Sequence, residues 1–93
     1  LRNSMNQDVS LAVRAVAAAA VWRKGEPSGR EILRDLARNP DWLARALAAR
    51  YLGELGSGWE YRELMRALDT EQNELVQAEL CGALLRLQSR KDK

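Results

Sequence analysis

The stretch Leu43-Ala44-Arg45-Ala46-Leu47-Ala48-Ala49-Arg50-Tyr51-Leu52-Gly53-Glu54-Leu55-Gly56 decides how the chain is read. Ala and Leu dominate it, and both favour helix because neither loses much side-chain freedom there. Wound at about 100° per residue, Leu43, Ala44, Leu47, Ala48, Tyr51, Leu52 and Leu55 share one broad apolar face. Ala46, Ala49 and Gly53 form a second strip of small residues. A surface helix needs one apolar face. Two faces require two neighbours, and the small strip lets one of them approach closely. A stacked helical array supplies that arrangement.

The flanks are punctuated accordingly. Asn39-Pro40-Asp41 reads as an N-cap, a proline at the first helical position and an acid in the first turn, and Gly56 closes the helix. Downstream, Ser57-Gly58-Trp59-Glu60 has the capping-box pattern and predicts a helix to about Leu68. Asp69-Thr70 breaks it, with Thr70 as cap of a last helix to about Gln88 and a polar tail from Ser89 to Lys93. Upstream, Ser28-Gly29-Arg30-Glu31 is another capping-box pattern, opening a helix to about Arg38. Glu26-Pro27 is a turn, and Gly25 ends a first helix that starts at Ser4-Met5-Asn6-Gln7. The expected architecture is all-α: five helices whose short links make neighbours antiparallel, forming a short α-solenoid.

Composition agrees. Ala and Leu supply 29 of 93 residues, there is no Phe, and Pro occurs twice. Hydrophobic residues at 46% and charged ones at 30% are a globular balance for a single small domain, 1–93. Fifteen basic against 13 acidic residues leave a net charge of +2, which argues against a dedicated nucleic-acid arm or a polybasic membrane patch. The absence of His excludes a His-dependent triad and the common His/Cys zinc sites. A single Cys, Cys81, excludes an internal disulfide. No cofactor or metal motif is present, and no catalytic residue is assigned. The longest apolar run, Ala15 to Trp22, is far short of a membrane span, and no signal peptide precedes it. A cytoplasmic setting is expected, and the use of Arg for 12 of the 15 cations fits a GC-rich bacterial genome. The chain starts at Leu1 rather than Met, as an excised piece of a longer solenoid would.

The chain also repeats. A shift of 32 lays Ile32-Leu33-Arg34-Asp35-Leu36 on Leu64-Met65-Arg66-Ala67-Leu68, Leu43 on Leu75, Ala46 on Ala78, Leu52 on Leu84 and Leu55 on Leu87. Six of the 24 pairs between 32–55 and 64–87 are identical, where composition alone gives roughly two. The repeat units are therefore about 28–56 and 57–88, and the first helix reads as the second member of a further pair.

The 43–56 stretch resembles the second helix of a short HEAT-like repeat, the kind found in phycobilisome lyases and bacterial scaffold proteins, which reads Val-Arg, an Ala-rich run, then Leu-Gly-x-Leu-Gly. Val76 to Leu87 and Val13-Arg14 to Gly25 match more loosely: Leu85 replaces the Gly and Gln77 the Arg. A tetratricopeptide would want Trp and Tyr where Ala49 and Gly56 stand. The resemblance implies a protein-protein interaction scaffold or adaptor, with second helices lining a concave surface. By elimination, Arg50, Glu54, Glu79 and Arg86 become the partner-reading residues, with Trp42 and Trp59 at the turn edges as the next choice. A nucleic-acid-binding module using Arg14, Arg45 and Arg50 is the alternative, and a lyase role follows from family analogy alone. For those arginines, bridging to adjacent repeats is the competing expectation.

Other features read more plainly. Arg30, Arg34 and Arg38 form a solvated helix face, and Cys81 is a buried thiol. The first helix, with only Ser10 and Arg14 polar between Val9 and Trp22, must be covered all round. Upstream repeats, self-association or an irregular cover would each do so, and Ala19 marks that face.

Overall fold

The computed structural model describes residues 4–91, and the side chains of residues 10–89. Five helices make up the fold: α1 (Ser4–Arg23), α2 (Pro27–Leu36), α3 (Trp42–Leu55), α4 (Gly58–Thr70) and α5 (Glu74–Lys91). Helices α1, α3 and α5 lie side by side with α3 central, and α2 and α4 pack across them on one side. The result is a slab of about 50 × 32 × 14 Å. The core is almost all Ala and Leu, with Ala15, Ala19, Leu33, Ala44, Ala48 and Leu87 fully buried.

The helix ends follow local chemistry, with shifts from the sequence reading. Gly25, at φ 93°, closes α1: its N–H bonds the Trp22 carbonyl at 2.8 Å and the Glu26 N–H the Val21 carbonyl at 3.3 Å. That pairing absorbs two orphan carbonyls and needs the left-handed conformation glycine adopts freely. Helix α2 begins at Pro27, not at a Ser28 cap, because proline fixes the helical φ and has no N–H to satisfy. In α3 the cap is Asp41 rather than Asn39: Asp41 Oδ1 accepts from Leu43 N at 2.8 Å, and Asn39 Oδ1 accepts from Asp41 N at 2.8 Å. The same device recurs 32 residues on, where Asn73, not Thr70, caps α5: its Oδ1 accepts from Leu75 N and its own N–H donates to Glu71 Oε2. Arg45 and Gln77 then donate to the equivalent carbonyls of Asn39 and Glu71.

The spacing of 32 holds for α3 and α5, where Ala44, Ala48 and Leu52 and their counterparts Val76, Leu80 and Leu84 are all buried. It fails for α2 and α4. There Gly29 and Leu33 match buried Glu60 and Leu64, a spacing of 31, whereas 32 would pair fully buried Leu33 with exposed Met65. Helix α2 packs chiefly on α1, where Gly29 admits the Ala18 carbonyl, and α4 chiefly on α5. The two outer helices therefore lean apart. Gly53 similarly lets α3 meet Ala83 of α5 without a side chain between them.

Two expectations about burial are corrected. Cys81 is exposed. Its counterpart Ala49 is buried where α3 meets α5, but among the described residues nothing stacks on the far side of α5, so Leu75, Ala78, Cys81 and Leu85 form an open stripe with Leu85 71% exposed. At the other end, the uncovered face of α1 carries Val13 (60% exposed) and Val16 (52%), while Ala19 lies in this chain's own core.

Candidate functional site

Charge on the molecule is organised as struts between corresponding helices of successive pairs. On the face formed by α1, α3 and α5, Arg23 pairs with Glu54 at 3.3 Å and Arg50 with Glu79 at 3.1 Å. Arg23 also lies 5.8 Å from the Tyr51 ring. Arg50, Glu54 and Glu79, three of the sequence-derived partner residues, are thus brought together as two half-exposed rungs. Arg86 is exposed on α5, about two turns beyond Glu79. Trp42 and Trp59 are both exposed in the first turns of α3 and α4, as expected, but they do not share one surface patch with the rungs as a single cluster: Trp59 belongs to a different assembly.

That assembly joins α2 to α4. Glu60, only 2% exposed, accepts from Ser57 N at 2.7 Å and Ser57 Oγ at 3.1 Å, completing the carboxylate half of the capping box, and its other oxygen accepts from Arg30 Nε at 2.5 Å. Burial pushes its carboxyl up, but the Ser57 amide and Arg30 outweigh that and hold it below the usual range. Arg34 pairs with Glu63 at 2.6 Å, which raises its affinity for the proton. Both guanidinium groups stack on Trp59, at 4.7 and 4.4 Å from the ring centre. The buried Arg34 Nε has no hydrogen-bond partner among the described residues. So Arg30 and Arg34 are not a solvated face. Their partners lie 30 and 29 residues away, a separation that local spacing cannot reveal; the clue was Arg–Glu recurrence near the repeat length.

Between the parted α2 and α4 runs a groove of about 820 Å³, floored by Leu52 of α3. Arg45 closes one end, gripping Glu71 through Nε and Nη2, both at 2.9 Å. The Arg45 hydrogen bonds hold the Glu71 carboxyl below its usual range against the opposing effect of burial. On α3, Leu52 faces the groove, whereas Arg50 lies about 160° away around the axis. The rungs and the groove therefore occupy opposite sides of the molecule. No three His, Cys, Asp or Glu side chains gather as a metal ion would require among the described residues.

A family model described as HEAT repeats matches residues 1–85. The chain belongs to the HEAT-repeat family. HEAT repeats are commonly non-enzymatic protein-interaction scaffolds, and the stacked five-helix order agrees with a short HEAT solenoid. No curated protein and no solved structure matches the chain. No helix among the described residues is long and apolar enough to cross a membrane. Arg45 and Arg50 do in this HEAT array what a bridging arginine does, each reaching a carboxylate associated with the next helix pair.

Proposed function

We propose that this HEAT-repeat chain is a protein-interaction scaffold that reads a partner on the concave surface lined by its second helices, α3 and α5. The observation that carries it is the pair of ion-paired rungs, Arg23–Glu54 and Arg50–Glu79, which fix a mixed-charge pattern half exposed to water. Pre-positioned charges contribute specificity and association rate because little ordering remains to be done on binding. Arg50, Glu54, Glu79 and Arg86 form the reading surface, with Trp42 exposed in the first turn of α3 as the next choice, while Trp59 is taken up by the Arg30 and Arg34 stack. A cytoplasmic bacterial setting and kinship with the phycobilisome-lyase type of repeat belong to the same reading, on composition and resemblance. A nucleic-acid reading draws less support, since Arg30, Arg34, Arg45 and Arg50 are each engaged by a carboxylate.

The test is a double reversal, Arg50→Glu with Arg86→Glu. The thermal midpoint should stay within a few degrees of wild type, because half-exposed pairs contribute about 0–1 kcal/mol. Affinity capture from the source cell should lose the protein retained by the wild-type chain. Retention of the same protein by the reversed variant overturns the assignment of this surface.

A further inference from the structure

The groove between α2 and α4 lies on the opposite side from the rungs and carries a different charge balance. Four arginines line it, Arg34, Arg38, Arg45 and Arg66, against two carboxylates, Glu63 and Glu71. Both carboxylates are spent: Glu63 on Arg34 at 2.6 Å, and Glu71 on Arg45 through two bonds at 2.9 Å. That leaves Arg38, just past the end of α2, and Arg66, on α4, exposed on opposite walls with no carboxylate partner among the described residues. Between them the lining turns apolar at Ala37 and Ala67.

From this geometry we infer that the groove is a docking site for an acidic peptide segment of a partner protein. The two free guanidinium groups take Asp or Glu side chains from either wall, each able to bind a carboxylate through two parallel hydrogen bonds. A small apolar residue of the peptide covers Ala37 and Ala67. The internal pairs exclude a basic segment, which would have to displace Arg34 or Arg45 from carboxylates they already hold. The volume, about 820 Å³, lies within the range of ligand-binding clefts. With the rungs on one face and the groove on the other, the chain could hold two partners at once, but the groove does not depend on the rung reading.

The experiment uses the full chain and a fluorescein-labelled peptide of alternating Glu and Ala residues with one central Leu. Binding is followed by anisotropy against a control peptide carrying Gln for Glu. The acidic peptide should bind and the control should not. Arg38→Glu with Arg66→Glu should weaken binding about tenfold or more, while the circular dichroism spectrum stays that of wild type. Arg38→Gln with Arg66→Gln, which removes charge without adding repulsion, should weaken it less but in the same direction. Arg62→Glu, exposed on α4 outside the groove, should leave binding unchanged. Equal binding of the two peptides, or indifference to both double variants, overturns the inference. So does full competition by a single-stranded oligonucleotide of matched charge, which would make the site a general polyanion surface.

Discussion

Glu60 is the residue whose removal tells most about how the array is held together. It is 2% exposed, caps α4 through Ser57 and receives Arg30 from α2. Replacing it by Ala removes the cap contribution, about 1 kcal/mol, and a charge-assisted bond across two helices, about 1.5–3 kcal/mol. Arg30 is left behind, but its side chain is 28% exposed and still stacked on Trp59, so it can rehydrate in part. The cost should therefore fall short of the 3–5 kcal/mol seen when a fully buried pair is broken; about 2–3 kcal/mol is expected. For a chain of this length each kcal/mol lowers the midpoint by about 4–8 °C, so Glu60→Ala should melt roughly 8–24 °C below wild type by circular dichroism. Glu54→Ala, which breaks a rung with side chains 51% and 37% exposed, should cost about 0–1 kcal/mol. A double-mutant cycle with Arg30→Ala should return a coupling of at least about 1 kcal/mol. If Glu60→Ala melts no earlier than Glu54→Ala, or if the cycle shows no coupling, the buried strut does not hold α2 to α4.

Leu33→Ala should cost about 2–4 kcal/mol in urea unfolding, and Met65→Ala less than about 1 kcal/mol; equal costs would restore the spacing of 32 between α2 and α4. Acid should destabilise the fold through Glu60 and Glu71, whose carboxyls are both held below their ordinary 4.5. The unfolded chain takes up these protons first as pH falls, so the stabilisation is complete above about pH 4.5 and is lost on descending through the lower folded values. Urea midpoints for Glu60→Gln with Glu71→Gln should fall less over that range than those of wild type, and a parallel fall would refute the assignment.

What could be read from the sequence was whatever is decided within a turn or two. Gly25 marked the end of α1, and Ser57 with Glu60 marked the start of α4, because each motif satisfies its own neighbouring backbone groups. The same logic misplaced the start of α2: Ser28 and Glu31 carry the same pattern, but Pro27 had already set the helix on its course. The apolar stripes of α3 and α5 were legible because their period matches the helix. Whether a stripe is covered was not, since Ala49 and Cys81 occupy equivalent positions and only one has a neighbour. Of the rung residues, Arg50, Glu54 and Glu79 were found as exposed charges and bridging by Arg50 was the competing expectation, but Arg23 was missed, and the groove left no trace in the periodicity.

The groove and the Arg30–Glu60 and Arg34–Glu63 struts are consequences of one displacement. Helices in direct contact pack with axes about 8–10 Å apart, and α2 and α4 make no close backbone approach, each having leaned toward a different inner helix. An apolar side chain could not bridge that gap without exposing itself along the way. Arginine can, because its stem packs while its head reaches a carboxylate, and Trp59 supplies the surface on which two such heads stack. The one-residue slip between the α2–α4 and α3–α5 spacings sets which side chains meet across the gap: it brings Glu60 to the buried position that Gly29 holds in α2. In α2 that position admits the backbone of α1; in α4 it receives a cation from the neighbouring outer helix. Leu52 of α3, lying between the two contacts, is the floor of the groove.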